Sequence, residues 1–185
     1  MVSMRRIVRG LVCGSALFLS LVTGLEPALA ASRRAEVTLL PDAAYGSSLL
    51  QRVRQARESI VFGYFLFKVT RSRRNLPRQL AEELIRARRR GVEVSVLLEQ
   101  DRGGRDRLND ENRETADLLE QGGVRVRFDS PAVTTHVKAA VIDRRYVYLG
   151  SHNLTQSALE YNNELSVLID SPAVAAEVLG YLNRL

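Results

Sequence analysis

The chain has 185 residues, 27 of them basic and 21 acidic, which gives a formal net charge of +6. This excess is mild, so the composition excludes a histone-like polycation, and the length fits one domain with a short appendage. The single cysteine, Cys13, excludes a disulfide framework and a thiolate metal site.

The N-terminal segment has the three parts of a secretory signal peptide. Three arginines precede an apolar run from Leu11 to Leu25, and Ala28-Leu29-Ala30 resembles a cleavage site. We therefore predict a signal peptide over residues 1–30, a domain over residues 31–185, and a periplasmic or secreted protein without stable membrane insertion after cleavage. An uncleaved N-terminal anchor is the alternative. Cleavage would remove Cys13 and leave 24 basic against 20 acidic residues.

Strands and helices alternate through the first half of the domain. Apolar runs predict strands at Val37–Leu40, Ser59–Phe67, Val92–Leu98 and Val124–Phe128. Helical periodicity and capping residues predict three intervening helices. Their predicted starts are Ser47 or Ser48, Pro77, and Asn109 or Asp110.

The second half begins with two strands joined by a tight turn. These are about Val137–Asp143 and Tyr146–Leu149, followed by a strand at Glu164–Asp170 and a helix capped by Ser171-Pro172. The order predicts an α/β fold with a mixed, largely parallel sheet and helices on both faces. About 155 residues can bury a core of their own without covalent cross-links.

Basic residues cluster in two loops and at one helix end. The first loop carries Lys68, Arg71, Arg73 and Arg74, and the second carries Arg102, Arg105 and Arg107. Both could bind the backbone of a polyanion, and we take Lys68, Arg71, Arg73, Arg102 and Arg105 as candidate substrate-binding residues. The Arg86–Arg90 group is equally well explained as a solvated helix end, where cations are favoured.

One compact segment carries a set of chemically active side chains. His136 and Lys138 stand two apart on a predicted strand and should share a face. Histidine can attack phosphorus near neutral pH, and lysine can stabilise the charge that develops on phosphate oxygens. Ser151, Asn153 and Glu164 follow at a strand end and at the start of the next strand. No Asp/His cluster has metal-ligand spacing, so the residues favour a phosphodiesterase that uses no metal or other cofactor.

The spacing of these residues resembles the phospholipase D superfamily. Its motif is H-x-K-x4-D followed, six residues on, by G-S-x-N. His136, Lys138, Asp143, Gly150, Ser151 and Asn153 match it. The resemblance extends over residues 35–185 and is nearest to the small secreted bacterial endonucleases of the Nuc type. Such proteins carry one motif per chain, so the resemblance implies a homodimer that builds one active site from two motifs.

The resemblance also implies a role for each matched residue. His136 of one subunit would attack phosphorus and form a phosphohistidine, and the second His136 would protonate the leaving oxygen and then activate water. Lys138 and Asn153, assisted by Ser151, would bind phosphate oxygens. Glu164 would orient the nucleophile, and Asp143 would be structural, through hydrogen bonds near the dimer interface. Leu154 departs from the aromatic residue often found there, and His152 occupies a variable position, which we interpret as an exposed loop histidine.

Three functions are compatible with this set. A sequence-nonspecific endonuclease acting on DNA or RNA is our main interpretation. A phospholipase would use the same chemistry, but no helix is predicted to turn an apolar face outward for a bilayer. A catalytically silent nucleic-acid-binding protein is the third alternative, and the intact motif argues against it.

Overall fold

The computed structural model describes residues 35–101 and 107–185. Seven strands and five helices follow one another along these segments. The strands are β1 Glu36–Pro41, β2 Ser59–Tyr64, β3 Glu93–Leu98, β4 Arg125–Phe128, β5 Lys138–Ile142, β6 Tyr146–Gly150 and β7 Leu165–Asp170. The helices are α1 Ala43–Gln55, α2 Leu76–Arg89, α3 Arg107–Gln121, α4 Gln156–Glu160 and α5 Pro172–Leu182. The proposed signal peptide, residues 1–30, lies outside the described residues.

All seven strands form one sheet in the order β1-β7-β6-β5-β2-β3-β4. The predicted mixed α/β class is confirmed, but the sheet is not largely parallel. Only β2–β3 and β3–β4 pair in parallel, whereas the other four pairings are antiparallel. The tight hairpin makes β5 and β6 antiparallel. Strand β5 also joins β2, β7 joins β6 and β1 joins β7 in antiparallel orientation, which the sequence pattern did not indicate.

Helices cover both faces of the sheet, as predicted. On one face, α1, α2 and α3 pack over the larger core, which includes the fully buried Leu49, Phe62 and Leu84. On the other face, α5 packs over a smaller cluster centred on Val141 and Val147. Among the described residues, no helix is both long and apolar enough to cross a bilayer.

Two element boundaries differ from the predicted ones in ways that matter for the site. Helix α1 begins at Ala43, four residues before Ser47, with Asp42 at its N-cap position. The two serines lie inside the helix, where the Ser47 hydroxyl bonds back to the Ala43 and Ala44 carbonyls. Strand β2 ends at Tyr64. The Phe65 amide still bonds to the Val137 carbonyl, but residues 66–68 pair with Leu154 in the segment after β6.

Candidate active site

His136 and Lys138 lie at the start of β5, beside the end of β2. Lys138 is the first residue of β5 and pairs with Tyr64, while His136 lies in the segment that leads into the strand. The Lys138 ammonium donates to the His136 carbonyl at 3.0 Å. His136 itself is exposed, so its ring is open to an incoming substrate.

Phe65 joins these two side chains and was not singled out by the sequence. Its ring centroid lies 4.6 Å from that of His136, in an edge-on arrangement, and 5.0 Å from the Lys138 ammonium. Its amide donates to the Val137 carbonyl at 2.8 Å. The Phe65 ring therefore contacts both the His136 imidazole and the Lys138 ammonium, and it holds the two side chains next to each other. The only signal in the sequence was an aromatic at the end of a long apolar run.

The Lys138 side chain is 8% exposed. Burial lowers the pKa of the Lys138 ammonium from its ordinary value, and the nearby Glu164 carboxylate opposes that shift. A desolvated ammonium interacts more strongly with an anion than one in open water. The sequence predicted neither the depth of Lys138 nor its electrostatic coupling to Glu164.

The end of β6 carries the second half of the motif. Gly150 is the last residue of β6, and a Cβ on it would lie 2.1 Å from the Ser166 Oγ and 2.4 Å from the Ser166 Cα. Only glycine fits at this approach between β6 and β7. Of the next residues, Ser151 is exposed and Asn153 is half-buried, and the buried Asn153 Oδ1 has no hydrogen-bond partner among the described residues. Within the described part of the chain, the Asn153 side-chain oxygen therefore makes no hydrogen bond that holds the fold together.

Glu164 lies against this segment, just before β7. Its carboxylate accepts hydrogen bonds from the Ser151 hydroxyl and from the Asn162 amide, the latter at 3.2 Å. Within residues 35–101 and 107–185, no hydrogen bond joins Glu164 to the His136 ring. The orienting role expected of Glu164 therefore stays a prediction, while Asn162 is a further partner that sequence reasoning missed.

Asp143 lies at the opposite end of β5 from His136. It stands five positions after Lys138, which corresponds to about 16 Å along a strand. Its Oδ1 accepts from the backbone amides of Arg57, Glu58 and Ser59 at 3.0, 2.8 and 3.2 Å. The structure thus places Asp143 at the α1–β2 connection and does not bring it to the other motif residues.

The basic loop between β2 and α2 lies beside the motif segment. The Lys68 amide donates to the Leu154 carbonyl at 2.9 Å, which fixes the start of the loop next to Asn153. The Lys68 ammonium pairs with Glu111 at 2.5 Å, whereas Arg71 and Arg73 are exposed. Two further candidate substrate ligands, Arg102 and Arg105, lie outside the described residues.

His152 is not the exposed loop residue that we expected. Its side chain is fully buried, and its ring stacks on Tyr45 with centroids 4.3 Å apart. Burial lowers the pKa of the His152 imidazole from its ordinary value. The expectation failed because loop residues are usually solvated, whereas this loop turns inward between β7 and α1.

Polar side chains of α3 contact residues 65–68, the segment that follows β2, which we call the β2 exit. The fully buried Asn112 accepts from the Phe67 amide at 2.9 Å and donates to the Phe65 and Glu99 carbonyls. Thr115 donates to the Phe67 carbonyl. Sequence reasoning placed this helix but missed these contacts. The available signal was that Asn112 and Thr115 stand three apart, and therefore on one face of the helix.

A groove of about 440 Å³ begins at His136 and Lys138 and runs between the sheet and α5. Most of its other lining residues are apolar, including Leu149, Val178 and Tyr181, and Glu177 also lines it. In the described part of the chain, no group of three or more His, Cys, Asp or Glu side chains is arranged to hold a metal ion.

Comparison with known proteins identifies relatives at the level of sequence family and of fold. The family model described as "Cardiolipin synthase, PLD-like domain" matches residues 49–185. A mitochondrial cardiolipin hydrolase of Chlamydomonas reinhardtii is 26% identical over 106 residues, which are 57% of this chain and 45% of that protein. The chain therefore spans less than half the length of this curated relative.

Two small bacterial proteins share the fold over nearly their whole length. A phospholipase D family member, Nuc from Salmonella typhimurium, superposes with a TM-score of 0.68 and 23% identity, over 82% of this chain and 93% of that one. NucT from Helicobacter pylori superposes with a TM-score of 0.64 and 20% identity, over 82% and 95%. At these identities the likeness is one of fold.

Proposed function

Because the chain belongs to the phospholipase D superfamily, we propose that it is a phosphodiesterase that cleaves nucleic acid without sequence preference. The observation that carries this proposal is the meeting of three parts at one edge of the sheet. His136 and Lys138 lie together, the Asn153 segment follows β6, and the exposed arginines of the Lys68–Arg74 loop lie beside that segment. The first two parts suit any phosphodiester, and the third suits a polyanionic one.

In the proposed reaction, a His136 nitrogen attacks phosphorus while the bond to the leaving oxygen breaks. A second His136, from a partner subunit, gives its proton to that oxygen. The second His136 then takes a proton from water, and the resulting hydroxide displaces the first His136 from phosphorus. Lys138 and Asn153 hold the non-bridging oxygens, on which charge builds up in both steps.

An exposed apolar strip supports the second subunit in this proposal. Val37, Leu39 and Leu165 are 56%, 66% and 59% exposed, and strand alternation puts them on the face that carries α5. The strip continues towards the groove that begins at His136. A self-complementary interface between two subunits would cover these exposed apolar side chains beside the site.

The function is tested with plasmid DNA and purified protein in the presence of a chelator. We expect nicking and then degradation, and a His136→Asn variant should be inactive. An Arg71→Ala/Arg73→Ala variant should lose cleavage of DNA but keep cleavage of a small chromogenic phosphodiester, because only the polymer reaches those arginines. Full DNA cleavage by His136→Asn would refute the mechanism, and dependence on added metal would refute the proposed metal independence.

The dimeric site is tested by co-expression of differently tagged wild-type and His136→Asn chains. If both histidines are required, isolated mixed dimers should have under about one hundredth of the wild-type rate, since each histidine contributes about 10²–10⁴-fold. Mixed dimers with half the wild-type rate would mean that each chain acts alone. Light scattering should give the mass of two chains, and an active monomer would contradict the proposal.

A lipid phosphodiesterase is the second candidate, favoured by one observation. The groove beside His136 is lined mainly by apolar residues, with Glu177 as an acidic exception, and it could receive an acyl chain if no second subunit covered it. Headgroup release from cardiolipin-containing vesicles, with no cleavage of DNA or RNA, would select this function.

The proposal that the protein is exported rests on residues 1–30 alone. N-terminal sequencing of protein from the periplasm or medium should begin at Ala31. A mature protein that still begins at Met1 would favour the uncleaved anchor.

A further inference from the structure

We propose that Asp42 and His152 act as a positioning clamp that holds Glu164 and the segment Ser151–Asn153 in the geometry needed for turnover. This inference rests on the proposed phosphodiesterase function. Neither residue was assigned a role by the sequence motif, and neither touches the space beside His136. Both act through residues that do, so they are positioning residues and not catalytic ones.

Asp42 holds Glu164 at two points of the backbone. Its amide donates to the Glu164 carbonyl at 2.9 Å, and its Oδ1 accepts from the Glu164 amide at 2.9 Å. Each of these bonds links the end of β1 to the residue before β7. Together they fix the position from which the Glu164 carboxylate reaches Ser151 and Asn162.

The backbone of Asp42 is unusual for its residue type. Its φ of 48° and ψ of −129° lie where glycine is strongly favoured, as at the first central position of a type II′ turn. Asp42 stands at the N-cap of α1, yet its side chain caps no helix amide. An aspartate here has neither the backbone advantage of glycine nor the usual function of an N-cap. What it supplies is the acceptor for Glu164, and strain of this kind concentrates at functional sites.

His152 joins Asp42 to the motif segment. Its Nε2 lies 3.0 Å from the Asp42 carbonyl oxygen, and its Nδ1 lies 2.6 Å from the Ser166 Oγ. A carbonyl can only accept, so Nε2 carries the proton and the Ser166 hydroxyl donates to Nδ1. Both nitrogens of one neutral tautomer are thereby satisfied, and the lowered pKa of the buried imidazole agrees with this neutral form.

Because His152 stands between two proposed phosphate ligands, the contacts that fix its ring also fix the positions of those neighbours. It stands between Ser151, which contacts Glu164, and Asn153, whose amide oxygen the fold leaves unengaged. A ring held by two hydrogen bonds and a stacked Tyr45 cannot rotate without moving both neighbours. The clamp therefore fixes both Glu164 and the two proposed phosphate ligands to the β1–α1 junction. Misplacement of such groups by about 1 Å can lower the rate about a hundredfold.

Two substitutions at Asp42 separate positioning from folding. Asp42→Gly suits the backbone angles but removes the acceptor, whereas Asp42→Asn keeps a side-chain oxygen and tolerates positive φ. On a small chromogenic phosphodiester, we expect kcat of Asp42→Gly to fall about 10- to 100-fold with KM within about twofold. Asp42→Asn should stay within about threefold of wild type. Asp170→Asn, which removes a half-buried carboxylate that pairs with Arg145 at the far end of β7, is the control for loss of a carboxylate away from the site.

A substitution at His152 tests the other half of the clamp. His152→Phe preserves a ring to stack on Tyr45 and removes both hydrogen bonds, so kcat should fall by a similar factor. Thermal unfolding is measured on every variant, because a purely structural role would lower Tm in parallel with kcat.

The outcomes distinguish the clamp from the proposed function. Wild-type kcat in Asp42→Gly would overturn the clamp, as would a loss of kcat matched by an equal loss in Asp42→Asn or by partial unfolding. If the wild-type protein cleaves no phosphodiester, the proposed function fails, and the clamp is judged by calorimetric binding of orthovanadate, which mimics a five-coordinate phosphorus. We then expect binding about tenfold or more weaker in Asp42→Gly but not in Asp42→Asn; equal binding by all three proteins would overturn it.

Discussion

Substitution of Asp143, the aspartate of the H-x-K-x4-D motif, should lower the stability of the fold and leave the rate of the chemical step unchanged. The Asp143 Oδ1 accepts hydrogen bonds from three backbone amides, and Oδ2 accepts one from the Arg57 amide at 3.2 Å. A hydrogen bond to a charged group contributes about 1.5–3 kcal/mol, but these three share one partly exposed oxygen. We therefore expect Asp143→Ala to cost about 2–3 kcal/mol. In a domain of this size, that lowers Tm by about 5–10 °C.

Asp143→Asn is the matched variant, because an amide oxygen in the place of Oδ1 keeps all three contacts. Asparagine also tolerates the φ of 52° at this position, where alanine is strained. Its Tm should stay within about 3 °C of wild type. Both variants are assayed below their Tm with a small phosphodiester, and kcat should be unchanged in each. A kcat reduced tenfold or more in a fully folded Asp143→Asn protein would refute the structural assignment.

Three further predictions follow from other contacts. Gly150→Ala should unfold the domain or lower Tm by more than about 8 °C in a thermal melt, because its Cβ would meet the Ser166 backbone at 2.4 Å. Burial raises the pKa of the Glu99 carboxyl, so stability should fall as pH rises through that folded pKa, and Glu99→Gln should flatten this slope in urea titrations across pH. Glu164→Gln removes the carboxylate that raises the pKa of the Lys138 ammonium, so the alkaline limb of the pH–rate profile should move to lower pH; an unmoved limb would show that Lys138 does not set it.

Local signals predicted the parts of the site that lie close together in sequence. The two-residue spacing placed His136 with Lys138, and they do share the Phe65 ring. The motif spacing placed Gly150 at the end of a strand, and it is the last residue of β6, where Ser166 leaves no room for a side chain. Each of these inferences needed only strand geometry and a single motif.

Long-range pairing was beyond the reach of the sequence. Asp42 and Glu164 are 122 residues apart, and no periodicity shows that an edge strand added beside β7 brings them together. The start of α1 was misplaced for a related reason. Serine is a favoured N-cap residue, whereas the side chain of Asp42, the actual N-cap, bonds to the distant Glu164 and to no helix amide. The number of antiparallel pairings likewise depended on the position of β5 between β6 and β2, which no local pattern indicates.

The contact between α3 and the β2 exit has a consequence for the order in which parts of the chain fold. The Phe67 amide is held by the Asn112 side chain, 45 residues away, and not by a neighbouring strand. Its exchange with solvent deuterium therefore reports the docking of α3, independently of the sheet ladder. The Phe67–Asn112 contact closes a loop of 45 residues, whereas the β2–β5 pairs from Tyr64–Lys138 to Ile60–Ile142 close longer ones. We therefore expect the β2 exit to become protected before the β2–β5 ladder during refolding. A pulse-labelling experiment that follows the Phe67 and Phe62 amides would record α3 docking beside β2 before β5 completes the sheet.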